Sequence, residues 1–188
     1  MTEFRRLAIA EVVEITPPKF GDHRGFFSEV FKRSAFEAEG LAIDWIQDNQ
    51  SFSAEAGTVR GLHFQAPPFA QDKLIRVLRG SIFDVAVDIR KGSPSYGRWV
   101  GIELSADKFN QLLIPVGFAH GFMTLTPDVE VLYKVSAPYN RESEGAIVWN
   151  DPDLGIDWPR PGEAILSGKD AEASSFGAFE SPFAYEAD

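Results

Sequence analysis

The chain has no cysteine among its 188 residues. Thiol catalysis, thiolate metal sites and disulfides are therefore excluded. Histidine is nearly as scarce: His23, His63 and His120 are the only three. Any imidazole chemistry near neutral pH has few possible owners. Positive charge is in deficit, with Lys+Arg at 18 against Asp+Glu at 28 and a formal net charge of -10. That balance argues against nonspecific binding to nucleic acid or to an anionic membrane. It leaves room for a phosphate-bearing small ligand where a few Arg and Lys converge. No apolar run approaches a membrane span. The opening stretch, MTEFRRLAIAEVVEI, has a basic pair and a short apolar run broken by glutamates. That is not a signal-peptide core, so the cytoplasm is the expected location.

What the chain does have is aromatic bulk, led by 16 Phe. Its length suits one domain, residues 1–188, with a sizeable core. Strand-like runs bounded by turn residues dominate: 11–15, 25–31, 45–53, 59–65, 73–78, 81–89, 97–104, 112–115, 117–125, 130–135 and 146–149. Gly, Pro, Asn and Asp fall between them, as at Pro67-Pro68, Gly92-Ser93-Pro94 and Asp151-Pro152. Many short strands at close spacing predict an all-β sandwich or barrel.

Helical signals are few. Residues 34–39 suit one or two turns. Ser167 suits the N-cap of a short helix over 168–173, with Asp170 at the third helical position as in a capping box. Residues 176–188 are rich in Ala, Ser and acid and read as a weakly ordered acidic tail. In the run 81–90, Phe83, Val85, Val87 and Ile89 share one face, and Ile82, Asp84, Ala86, Asp88 and Arg90 the other. Asp88 is expected on a solvated face. Asp84, near the strand centre, fits a solvated face and a polar cavity equally.

Three segments concentrate the chemistry: RGLHFQ at 60–65, IPVGFAHGF at 114–122 and LYKVSAPY at 132–139. The second carries the P-x-G-x-x-H spacing of the second cupin motif. A metal-binding cupin also needs an H-x-H pair and a glutamate in its first motif, and here His63 is followed by Phe64 and Gln65. An imidazole–carboxylate metal site needs at least three placed donors, so a metal-free site is expected.

Together with FGDHRGFFSE (20–29), QDNQS (47–51), the long run from Gln71 to Trp99, WNDP (149–152) and LSGKD (166–170), these segments make the chain resemble the dTDP-4-dehydrorhamnose 3,5-epimerase family. The resemblance covers nearly everything but the acidic tail. It implies a cupin-type jelly-roll β-sandwich with a few short helices. It also implies a homodimer with exchanged N-terminal strands and an epimerase that needs no cofactor. The implied reaction inverts C3 and C5 of dTDP-4-dehydro-6-deoxy-D-glucose, in dTDP-rhamnose biosynthesis.

The same resemblance assigns residues. His63 is the base and Tyr133 the acid. Asp170 pairs with His63, although a helix cap and a catalytic partner look alike in sequence. Lys73 is the cation for the enolate oxygen, and Lys73 also belongs to the binding set. The dTDP-sugar falls to Arg24, Glu29, Gln47, Asn49, Arg60, His120, Glu144 and Lys169. Arg24 and Glu29 would reach into the partner's site if the N-terminal strands exchange. Phe27 and Tyr139 are candidate platforms for the thymine ring. A 3-epimerase that inverts one centre, a non-catalytic sugar-nucleotide binder and a metal cupin are the alternatives.

One local conflict follows from parity. Arg60 and His63 fall on opposite faces of a regular strand, so both reach one site only if the strand is irregular at Gly61.

Overall fold

The computed structural model describes residues 1–186; of the expected acidic tail, residues 187–188 lie outside that range. In chain order the strands are β1 (Glu3–Arg6), β2 (Val13–Thr16), β3 (Phe20–Asp22), β4 (Gly25–Phe27), β5 (Gln47–Ser53), β6 (Val59–Gln65) and β7 (Lys73–Arg79). They continue with β8 (Ser81–Asp88), β9 (Trp99–Ser105), β10 (Gln111–Ile114), β11 (Phe118–Thr124), β12 (Val129–Val135) and β13 (Glu144–Ala146). Helix α1 (Arg33–Ala38) precedes β5, and α2 (Gly168–Ala171) follows β13.

Two antiparallel sheets form the sandwich of a cupin-type jelly roll. One has the order β1-β2-β10-β7-β12-β5 and the other β13-β6-β11-β8-β9. Strand alternation explains the layering. Ile75 and Val77 of β7, Ile82 and Ala86 of β8, Leu112 and Ile114 of β10, and Val129 and Val131 of β12 all point inward. Each of these Ile, Leu and Val side chains contributes about 1.5–3 kcal/mol on full burial.

Both outer faces are also apolar, and the chain covers them itself. Over the first sheet, Phe36 of α1 packs on Val13, Ile15 and Leu74. Over the second, Trp149, Leu154, Trp158 and Phe183 cover Leu62, Val85, Val87 and Met123. This covering strap corrects the weakly ordered tail. Phe183 is buried, Lys91 N–H donates to Phe183 O at 3.0 Å, and Phe64 meets Phe179 and Phe183 edge-on. Three phenylalanines outweigh the polar composition around them.

Asp88 is a second correction. It is fully buried rather than solvated. Arg90 Nη2 donates to it at 2.7 Å, Ser93 Oγ at 2.5 Å and Ser95 Oγ at 2.6 Å. Burial favours the neutral acid, but these donors prevail and hold its pKa below the usual carboxylate range.

Most other boundaries shift by a residue or two, but the strand expected over 25–31 stops at Phe27. The last strand lies at Glu144–Ala146 and so overlaps the expected 146–149 only at Ala146; α2 ends at Ala171. Strands β1 and β3 had no counterpart in the sequence reading.

Candidate active site

Register builds the site before any side chain is considered. In the first sheet, Gln47, Val135 and Lys73 form one lateral row, Asn49, Tyr133 and Ile75 the next, and Ser51, Val131 and Val77 a third. All three rows share the inward face. The third row is mainly core, and polarity grows toward the first. Across the sandwich, His63 of β6 sits directly opposite His120 of β11, which pairs in turn with Ala86 of β8. The polar ends of the two sheets therefore enclose one cavity of about 410 Å³, lined by Arg60, His63, Lys73, His120, Tyr133 and Asp170 among others.

The irregularity expected at Gly61 is present. The β6–β11 register shifts between His120 and Phe122, and two β6 residues, Gly61 and Leu62, stand against the single Gly121. Gly61 has φ +129, and a Cβ there would lie 2.5 Å from the Gly121 Cα. Only glycine allows that approach. The bulge brings Arg60 and His63 to the same cavity.

His63 donates from Nε2 to Asp170 Oδ1 at 2.5 Å. Asp170 is buried, which raises its pKa, but hydrogen bonds from His63 and Ser167 outweigh burial and hold it below the usual range. It is thus a carboxylate that only accepts, and the shared proton resides on His63 Nε2. Nδ1 remains as the ring nitrogen free to take a proton. Asp170 takes part at once in the cap of α2 and in the pair with His63. Ser167 caps α2 by accepting from the Asp170 N–H at 3.2 Å, while its hydroxyl donates to Asp170 Oδ2 at 2.8 Å. A single-turn helix thereby aims the carboxylate at the histidine.

Lys73 is enclosed. Burial lowers its pKa to about 8, against the opposing pull of Asp84 and Glu144. Tyr133 is raised by burial, with Arg60 working the other way, so its phenol keeps its proton. His120 is lowered, chiefly by burial, and Nε2 donates to Asp84 Oδ1 at 2.6 Å. Asp84 is the residue that sequence reasoning left unassigned. It shares the inward face with Ile82 and Ala86, and that parity was the available signal.

An adjoining cavity of about 240 Å³ shares His63, Lys73 and Tyr133 and adds Gln47, Asn49, Tyr139 and Glu144. Gln47 Nε2 donates to Asn49 Oδ1 at 2.7 Å. Glu144 accepts from the Tyr139 hydroxyl at 2.9 Å and forms an ion pair with Lys169. At the other rim, Arg60 donates to Phe52 O at 3.0 Å and to Ser53 Oγ at 3.3 Å.

Arg24 and Glu29 do not join this group. Arg24 pairs with Asp22 at 2.6 Å on the β3–β4 hairpin, and Glu29 lies 3.6 Å from Lys32. Phe27 is on the same hairpin and is 67% exposed, so it is no core residue. His23 is exposed in the hairpin turn. Neither cavity histidine is free at both nitrogens, because each already binds its own carboxylate.

Both the sequence and the fold have counterparts among known proteins. The family profile described as dTDP-4-dehydrorhamnose 3,5-epimerase matches residues 6–178. A dTDP-4-dehydrorhamnose 3,5-epimerase of Sinorhizobium fredii is 52% identical over 182 residues, 97% of this chain and 93% of the relative. A crystal structure of the Bacillus anthracis str. Ames dTDP-4-dehydrorhamnose 3,5-epimerase with TDP and PPi bound has a TM-score of 0.91 at 45% identity, covering 94% of this chain and 100% of that one. A dTDP-6-deoxy-D-glucose-3,5-epimerase of Legionella pneumophila Philadelphia 1, in complex with dTDP-4-keto-L-rhamnose, has a TM-score of 0.95 at 42% identity and covers 100% of both chains.

Proposed function

The chain belongs to the dTDP-4-dehydrorhamnose 3,5-epimerase family, and from that membership we propose how its own residues carry the reaction. The reaction inverts C3 and C5 of dTDP-4-dehydro-6-deoxy-D-glucose to give dTDP-4-dehydro-L-rhamnose, an isomerase step of dTDP-rhamnose biosynthesis that serves polysaccharide assembly. The observation that carries the residue assignment is the His63–Asp170 pair facing Lys73 and Tyr133 across one cavity.

The 4-keto group acidifies the C–H bonds at C3 and C5. His63 Nδ1 takes the proton, and the C–H electron pair moves through the C3–C4 or C5–C4 bond onto the ketone oxygen. The imidazolium that forms is stabilised by the Asp170 carboxylate. The Lys73 ammonium meets the enolate oxygen in a partly buried site, where a positioned donor contributes about 2.7–4 kcal/mol. Tyr133 then delivers a proton to the opposite face of the carbon, and the inverted centre results. Each positioned acid or base contributes about 10²–10⁴-fold. Side chains alone supply every group the step uses, so the proposal includes no metal and no cofactor.

For binding, Arg60 and Lys169 are the clamps for the diphosphate and sugar, since guanidinium and ammonium donors match phosphate oxygens. Gln47, Asn49, His120 and Glu144 hold hydroxyls and the base, with Tyr139 beside the thymine ring. Arg24, Glu29 and Phe27 contribute through a homodimer with exchanged N-terminal strands. An exposed hairpin bearing Phe20, Phe26 and Phe27 supports that part, because contiguous exposed aromatics are normally covered. The whole chain acts as one domain, in the cytoplasm. Among the described residues no helix is long and apolar enough to cross a membrane.

The test is NMR of dTDP-4-keto-6-deoxyglucose with the protein in D₂O, without added metal. Deuterium at both C3 and C5 is expected. Deuterium at C3 alone would make the protein a 3-epimerase. Absence of exchange with intact dTDP binding would make it a sugar-nucleotide binder.

A further inference from the structure

Behind the cavity wall lies a carboxylate that the reaction as described does not use. Asp84 sits at the middle of β8, fully buried, diagonal to His120 on β11. Its Oδ1 accepts from His120 Nε2 at 2.6 Å, and its Oδ2 is buried with no hydrogen-bond partner. A half-satisfied carboxylate in an apolar layer, flanked by Ile82 and Ala86, carries a free-energy cost. Leucine or valine at that position would pack without it. The cost is understandable if the charge is used.

We infer that Asp84 is a positioning residue of the proton-transfer site: it holds His120 with the proton on Nε2, and it supplies the buried negative charge that keeps Lys73 an ammonium. This rests on the proposed epimerase reading, in which Lys73 meets the enolate. The sandwich then holds two carboxylate–histidine pairs with different tasks. His63 with Asp170 moves protons. In the other pair His120 stays neutral beside the Asp84 carboxylate, since burial dominates the surroundings of the histidine. With Nε2 donating to Asp84, the Nδ1 lone pair of His120 is an acceptor, suited to a sugar hydroxyl or to the Lys73 ammonium.

The groups around the pair divide by sign. Lys73 is pulled toward protonation by Asp84 and Glu144 and away from it by burial. His120 is pulled toward protonation by Asp84 and away by burial, Lys73 and His63. Tyr133 of β12, Arg60 of β6, and Lys169 and Asp170 of the α2 segment line the same cavity. Arg60 and Lys169 bear the same charge as Lys73. Glu144 is committed to Lys169 and Tyr139. Asp84 is therefore the carboxylate here with one oxygen, Oδ2, still free of any hydrogen bond.

The experiment compares the wild type with Asp84→Asn. Calorimetry with dTDP reports whether the binding site is intact. The pH profile of deuterium exchange into dTDP-4-keto-6-deoxyglucose, from pH 6 to 10, reports the state of Lys73. For Asp84→Asn, dTDP affinity should stay within about twofold while kcat falls, and the alkaline limb should move to lower pH by about one unit. An unmoved limb overturns the inference. A second measurement needs no variant: long-range ¹H–¹⁵N spectra of wild-type His120 at pH 7 should show Nε2 protonated and Nδ1 bare. A proton on Nδ1 overturns it too. If the wild type catalyses no exchange, the epimerase reading fails, and the tautomer still decides the role of Asp84 toward His120.

Discussion

Gly61 and Gly121 face each other across β6 and β11, and a methyl group on Gly61 would lie 2.5 Å from the Gly121 Cα. Two residues without side chains thus permit the bulge that turns both Arg60 and His63 toward one cavity. Gly61→Ala should destabilise the protein by about 1–3 kcal/mol, the usual cost of overpacking. The loss of exchange activity should exceed what the remaining folded fraction explains. Thermal unfolding and exchange rates on the same sample test this. A variant as active as the wild type per folded molecule would refute the role of the bulge.

His63→Asn should abolish deuterium incorporation at C3 and C5 while dTDP still binds. Asp170→Asn should lower kcat by about 10²–10⁴-fold with a much smaller change in KM. The reason is specific: an amide in place of the carboxylate no longer stabilises the imidazolium. Equal losses in kcat and dTDP affinity would speak for a merely structural cap.

Tyr133→Phe should separate the two half-reactions. Deprotonation by His63 needs no phenol, so some exchange with solvent should persist while formation of the L-sugar stops. Full turnover by the variant would remove Tyr133 from the role of acid.

The pH profile has a direction that follows from Lys73. Burial lowers its pKa to about 8. The ammonium proposed to meet the enolate is therefore present below about pH 8 and lost above it. Wild-type kcat should fall on the alkaline side of pH 8, well before an exposed lysine titrates. A profile flat to pH 10 would exclude this lysine as the enolate cation.

Arg24 lies outside the cavity of its own protomer. If strand exchange carries it to a neighbouring site, Arg24→Ala should weaken dTDP binding at protein concentrations where sedimentation shows a dimer. A monomer at all concentrations, or unchanged affinity in the dimer, would contradict that arrangement.

Much of this architecture was legible because its signals are local. The strand at 59–65 and the Ser167 cap follow from alternation and from capping chemistry, and both stand where they were expected. The bulge at Gly61 followed from a parity conflict between two residues that one site needed. What was missed is non-local. Asp88 read as solvated because nothing in its own strand reveals that Ser93 and Ser95, beyond the turn, bend back to it. The acidic tail read as loose because its composition hides three phenylalanines aimed at an outer sheet face. Asp84 could not be assigned without its neighbour on β11. The hairpin residues Arg24 and Phe27 were assigned by resemblance, and the single protomer leaves them apart from the site.

The proposed catalytic pair, His63 and Asp170, unites two parts of the chain with very different mechanical support. His63 is in the middle of a sheet, paired on both sides. Asp170, 107 residues later, rides on a four-residue helix between two single bridges, Thr58 to Ile165 and Ile147 to Ser174. Opening such a segment takes less free energy than dissolving the sandwich. On warming, function should therefore disappear while the sheets are still intact. The working temperature limit of the enzyme should then be set by its strap and not by its core.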